Sequence, residues 1–184
     1  MSHPSVILVD MDNVLADLDG QFLRIWKERY PAVPAPELEE REHHWIGHHF
    51  AVEHDASVRA LVREPGFLRG LPPIPGAIEA IRQMTENGFD VLVCTAPFSH
   101  HSTCLQEKQD WIKQHFDEEF VNRLIVTRDK TLIAGDILID DAPEIQGRRK
   151  PLWKYILFDA PYNQKNNGIP RLDWINWREV LSQV

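Results

Sequence analysis

An apolar run, Val6-Ile7-Leu8-Val9, ends in two carboxylates, Asp10 and Asp12, spaced by a single residue. A run this short and this rich in Val and Ile suits a strand buried on both faces of a parallel sheet. Side chains at i and i+2 of a strand share a face, so Asp10 and Asp12 can converge at its carboxyl end, where open α/β sheets bind their ligands. Such a point suits a divalent cation and a phosphate. Two surface aspartates in a turn after a core strand would look the same locally. The rest of the chain has to decide between them.

Downstream, Phe22, Ile25, Trp26 and Tyr30 recur at helical spacing until Pro31, and a Pro-rich link runs from Pro31 to Pro36. Glu37 to Glu64 is dense in charge and histidine, and its spaced apolar residues fit two short helices. The loop Leu71-Pro72-Pro73-Ile74-Pro75-Gly76 reads as a boundary. Residues 18–72 are therefore expected to be a helical insertion, with 1–17 and 73–184 forming the core. A helix follows Gly76 and stops at Asn87-Gly88. Val91–Thr95 reads as a second buried strand, and a helix is expected around Gln106 to Phe116. Leu124–Thr127, Ile137–Ile139 and Tyr155–Phe158 read as three more strands, followed by a final helix near Trp174 to Leu181. Strands alternating with helices predict an α/β fold, a Rossmann-like and mostly parallel sheet with right-handed crossovers.

Charge narrows the partners. With 20 Lys+Arg against 28 Asp+Glu, the net charge of −8 argues against nucleic acid polymers and acidic membrane surfaces. A small anion remains acceptable wherever local donors override that field. Met1-Ser2-His3-Pro4 leads straight into the first strand without a signal-peptide pattern, and no apolar stretch is of membrane-spanning length. A soluble, cytoplasmic protein is expected. Cys94 lies in an apolar run, and its spacing to Cys104 is neither metal-binding nor redox-type.

Polar groups stand at three strand ends: Asp10 and Asp12 after the first, Thr95 after the second, Asp140 and Asp141 after the fourth. Thr127-Arg128-Asp129-Lys130-Thr131 adds cations near the same edge. Carboxylates for Mg²⁺, a hydroxyl and an ammonium for phosphate oxygens, and a second carboxylate for proton transfer are the parts that phosphoryl transfer needs. These residues resemble the four motifs of the haloacid dehalogenase superfamily of phosphatases. More narrowly, Asp10–Asp17, Pro73–Ala77, Thr127–Thr131 and Leu138–Asp141 are similar to the 5′(3′)-deoxyribonucleotidases, a likeness that runs through nearly the whole chain.

That resemblance implies a Mg²⁺-dependent hydrolysis of nucleoside monophosphates, with deoxyribonucleotides of the dUMP and dTMP type foremost and other small phosphate esters as the alternative. Asp10 would be the nucleophile that forms an aspartyl-phosphate, and Asp12 the acid and then the base. Mg²⁺ would take an oxygen of Asp10, the Asp12 carbonyl and a motif-four aspartate, with Asp141 as the direct ligand and Asp140 in support. Thr95 and Lys130 would hold phosphate oxygens. A phospho-accepting signalling module is the competing class, but such modules pair adjacent acids and carry no inserted cap. Relatives also imply a homodimer.

Two departures from the family pattern concern the site itself. Asn13 replaces a glycine, and Asn tolerates the left-handed backbone better than most residues. Ala96 replaces a serine, which leaves its backbone N–H as the remaining donor. By the same resemblance the base pocket falls on His44, Trp45 and Ile46, with Leu18 where an aromatic residue stacks on the base. His43, His44, His48 and His49 invite a zinc reading through the i,i+4 pair His44 and His48, but without a carboxylate pattern around them they are read as a solvated or pocket-lining helix face. Arg148-Arg149-Lys150 reads as a solvated loop, and Trp26, Trp111, Trp153, Trp174 and Trp177 as packing anchors.

Overall fold

The computed structural model describes residues 5–183. The reading of Met1 to Pro4 therefore lies outside the described residues. Six parallel strands form one sheet: β1 (Val6–Val9), β2 (Asp90–Thr95), β3 (Leu124–Val126), β4 (Ile137–Asp140), β5 (Lys154–Phe158) and β6 (Arg171–Leu172). Their spatial order is β3-β2-β1-β4-β5-β6. The α/β parallel sheet expected from the alternation of elements is thus present.

The apolar strands form because both faces are covered. Ile7 and Val9 enter the large core beneath the helices, whereas Leu8 joins Cys94, Leu138 and Trp153 in a smaller cluster on the opposite face. Ile7, Leu8 and Val9 are fully buried, and each contributes about 1.5–3 kcal/mol of apolar burial. Val9 is in register with Val93 on one side and Ile139 on the other. The winding reverses between β1 and β4, and a crevice opens outside the strand ends at such a reversal.

Helix α1 (Leu18–Arg29) starts where the Asp17 carboxylate accepts the Gly20 N–H at 2.9 Å. It buries Leu18, Phe22, Leu23 and Trp26. Over residues 37–64 the expectation of two short helices needs correction. The segment holds three short 3₁₀ turns, Leu38–Glu40, Ile46–His49 and Val52–His54, and then one helix, α2 (Asp55–Val62). Each turn spans three or four residues and leans on tertiary contacts, because so few residues cannot sustain an α-helix alone.

Two backbone hydrogen bonds bring the two ends of the segment 18–72 together. Asp17 N–H donates to the Pro72 carbonyl and Ile74 N–H to the Leu15 carbonyl, each at 2.8 Å. Its apolar side is continuous with the core beneath the sheet. Helix α3 (Ala77–Glu86) follows Gly76, whose φ of 85° favours glycine; a Cβ there would meet the Trp174 Cβ at 3.1 Å. Helices α4 (Cys104–His115) and α5 (Trp177–Ser182) complete the fold. The last helix begins three residues later than expected, because Trp174 is held in the preceding turn by its indole N–H on the Val14 carbonyl at 2.7 Å. All five tryptophans read as anchors are buried.

Candidate active site

The Asp10 N–H donates to the Ile139 carbonyl at 2.9 Å, which continues the β1–β4 ladder one residue past β1 and sets Asp10 beside the end of β4. Oxygens of Asp10, Asp140 and Asp141 there lie within 4.8 Å of one another. Lys130, on a 3₁₀ turn (Lys130–Leu132) capped by the Asp129 carboxylate, reaches into this group. Its ammonium lies 2.8 Å from Asp10 Oδ1 and also pairs with Asp140 Oδ2. Burial would lower the Lys130 pKa, but Asp10 and Asp140 outweigh it and keep the amine protonated.

The two motif-four aspartates have different surroundings. Both oxygens of Asp140 are engaged, Oδ2 by Lys130 and Oδ1 by the Ala142 N–H at 2.9 Å. Burial first, and then the Asp10 charge, push its carboxyl up to about 7. Contacts to Asp141 fall on Oδ2, which accepts from the Tyr162 hydroxyl and lies 3.5 Å from His44 Nε2. Burial works against ionisation of Asp141, but His44 and Tyr162 override it and hold its carboxyl below the usual range.

Asp12 lies on the other side of Asp10 and meets a residue that sequence reasoning missed. Lys108 of α4, fully buried, places its ammonium 2.8 and 2.7 Å from the two Asp12 oxygens and 2.9 Å from Thr95 Oγ. Burial raises the Asp12 carboxyl; Lys108 opposes that, and Asp10 and Asp141 add to it, leaving it above the usual range. A signal for Lys108 was present in the chain. It stands four residues from both Cys104 and Ile112, in the middle of the apolar face of α4. A lysine at a core position needs a partner.

Asp10, Asp12 and Asp141 line a cleft of about 210 Å³ together with Leu18, His44 and Trp45. Ala96 lies on its rim, next to the fully buried Thr95. Ile46 is not brought there: it is fully buried in the core and leaves the cleft to its two predecessors. The histidines do not share a helix face either, since His44 precedes the Ile46–His49 turn. Asn13 has φ 59°, the left-handed conformation that its type tolerates. It also adds what glycine could not. Its side chain donates to Asp19 Oδ2 at 2.6 Å and accepts the Asp19 N–H at 3.0 Å.

A strand order that reverses beside paired aspartates, with a lysine from the next loop between them, is the haloacid dehalogenase-like arrangement. Solved structures share that fold. A hydrolase of this family from Deinococcus radiodurans, with bound phosphate and sodium, matches with a TM-score of 0.59 at 12% identity, covering 100% of this chain and 97% of that one. A haloacid dehalogenase-like hydrolase from Streptococcus pneumoniae gives 0.58 at 11%, covering 100% and 99%.

The chain belongs to the family described as 5′ nucleotidase, deoxy (pyrimidine), cytosolic type C, whose model matches residues 4–184. The human cytosolic-type 5′(3′)-deoxyribonucleotidase is 39% identical over 98% of this chain and 95% of its own. A Bordetella pertussis protein provisionally named 5′(3′)-deoxyribonucleotidase is 44% identical over 96% and 95%. The mouse mitochondrial enzyme is 40% identical over 85% and 74%.

Proposed function

We propose that this phosphatase hydrolyses deoxynucleoside monophosphates through an aspartyl-phosphate on Asp10. The observation that carries this is the pairing of one buried ammonium, Lys130, with Asp10 and Asp140 at the reversal of strand order, with Asp12 two residues beyond. An Asp10 oxygen attacks phosphorus, and the bond from phosphorus to the sugar oxygen breaks. Asp12, whose carboxyl is raised by burial, gives its proton to that leaving oxygen. Water then attacks the aspartyl-phosphate, Asp12 takes the water proton, and the bond to Asp10 breaks to release phosphate. Lys108 holds the Asp12 carboxylate through both oxygens, and Lys130 and Thr95 hold phosphate oxygens.

The acidic group fits Mg²⁺, a hard cation that takes oxygen donors. Asp10 Oδ1 faces the Lys130 ammonium at 2.8 Å, a contact that falls on one of its two oxygens. Since both Asp140 oxygens are engaged and the Asp141 contacts fall on Oδ2, Asp141 and Asp10 would be the direct carboxylate ligands, with Asp140 in support and the Asp12 carbonyl completing the protein's set. When bound, Mg²⁺ supplies neutralisation of the negative charge gathered around the phosphoryl group.

Residues 18–72 act as a cap over the cleft, where Leu18, His44 and Trp45 receive the base. Stacking on an aromatic ring contributes about 1–3 kcal/mol per base. The enzyme is read as cytoplasmic and homodimeric. Among the described residues no helix is long and apolar enough to cross a membrane. The test is phosphate release with Mg²⁺ from dUMP, dTMP, dGMP, ribonucleotides and sugar phosphates. Release from the deoxynucleotides, abolished by Asp10→Asn, is expected. No release from any nucleotide sinks the assignment, and release confined to sugar phosphates keeps the mechanism and replaces the substrate.

A further inference from the structure

Next to the active cleft, and sharing Trp45, Pro97 and Phe98 with it, lies a second recess of about 260 Å³. Three arginines line it: Arg59 from α2, Arg63 at the C-cap of that helix and Arg128 from the loop after β3. Among the described residues no carboxylate lines it, in a chain whose net charge is −8. Arg59 pairs with Asp55 at 2.7 Å and sits over the Trp45 ring, 5.6 Å from its centroid. Among the described residues the guanidinium groups of Arg63 and Arg128 have no hydrogen-bond or salt-bridge partner.

Arg59, in the last turn of α2, and Arg63, its C-cap, stand four residues apart, where like charges repel. Arg128 brings a third positive charge to the same recess from a different element. An anion would relieve that repulsion and could take paired, charge-assisted hydrogen bonds from the guanidinium groups. Because the recess meets the cleft at Trp45 and Phe98, an anion there can be covalently part of a substrate whose other end lies at Asp10.

We propose that this recess is a subsite for a second phosphate, carried by the substrate at the end remote from the phosphate being cleaved. The class is a nucleoside bisphosphate with its two phosphates on one sugar, and this rests on the nucleotidase reading above. The subsite acts in binding, so its effect falls on KM, and the catalytic groups are unchanged.

Phosphate release is measured with Mg²⁺ from a deoxynucleoside 5′-monophosphate and from the 3′,5′-bisphosphate of the same nucleoside. The wild type is compared with the Arg63→Gln/Arg128→Gln variant. The wild type is expected to favour the bisphosphate by about 10-fold or more in kcat/KM, mainly through KM. That preference should shrink with added salt and vanish in the variant, whose activity on the monophosphate stays within about twofold. Equal kcat/KM for the two substrates in the wild type overturns the subsite, as does a preference that survives in the variant. Release from neither substrate overturns the nucleotidase reading and this proposal with it. Because Arg63 and Arg128 lie at the surface of the recess, a single Arg63→Gln change provides a second, milder variant should the double one fold poorly.

Discussion

Arg41 and Asp19 form an ion pair in which both side chains are almost wholly withdrawn from water. Arg41 follows the Leu38–Glu40 turn, and Asp19 is fixed from the turn after β1 by two hydrogen bonds to Asn13. The guanidinium also donates to the carbonyls of His43 and His44, at 2.9 and 2.7 Å, and lies 4.5 Å from the centroid of the Tyr162 ring. One buried cation therefore ties the loop that carries His44 and Trp45 to the turn that carries Asp12. Removing either partner leaves a buried charge uncompensated. Arg41→Met and Asp19→Leu should each cost about 3–5 kcal/mol, while the double variant should cost less than either alone. Urea denaturation of the three variants measures this, and additive losses would contradict it.

Asn13 should prefer Gly to Ala as a replacement. Asn13→Gly keeps the φ of 59° accessible and loses only the two hydrogen bonds to Asp19. Asn13→Ala loses the same bonds and adds left-handed strain of about 1–2 kcal/mol. Thermal unfolding should rank wild type above Asn13→Gly, and Asn13→Gly above Asn13→Ala.

Glu107 carries a pH-dependent part of the stability. Burial alone would raise its carboxyl, but the Thr103 hydroxyl and the N–H groups of Gly66 and Arg69 outweigh that and hold it below the usual range. A carboxyl whose folded pKa is depressed stabilises the fold above its unfolded pKa, and loses that contribution as pH falls through the folded value. Glu107→Gln should therefore be less stable than wild type by about 1–3 kcal/mol at pH 7. The gap should close once the pH drops below about 4. Urea melts from pH 7 to 3 give both curves, and a gap that is constant with pH would count against this role.

Lys108→Met should leave the fold in place and remove most of the activity. Methionine fills similar space on the buried face of α4, but Asp12 then loses the ammonium that holds both its oxygens. A loss of about 10²–10⁴-fold in kcat is expected, the range for disabling one acid–base group. Circular dichroism should be unchanged, and retained kcat would remove Lys108 from the mechanism.

Metal dependence should separate the two motif-four aspartates. Mg²⁺ at 100 times its Kd should stabilise the wild type by about 2.7 kcal/mol against an EDTA control. Asp141→Asn should lose this stabilisation to a greater extent than Asp140→Asn, since the latter's oxygens are taken by Lys130 and Ala142. Thermal shift in the absence of substrate reads the difference directly.

The acidic edge of the sheet was legible because it is written in local pattern. Val6–Val9 suits a strand buried on both faces, and a period of two then puts Asp10 and Asp12 at its carboxyl end. Thr95 and Asp140 follow in the same way, each closing an apolar strand. Strand β6, two residues long, was not legible, since only its pairing with β5 makes it a strand. Likewise the short turns of residues 38–54 depend on what they pack against. Lys108 reaches Asp12 from 96 residues away and Tyr162 reaches Asp141 from 21, distances that no local periodicity encodes. The sequence by itself determined which carboxylates sit at strand ends, because backbone alternation is a local property. The tertiary structure alone decided which cation faces which carboxylate, that Ile46 belongs to the core and His44 to the cleft, and that three arginines meet beside it, because those pairings form only when distant segments pack.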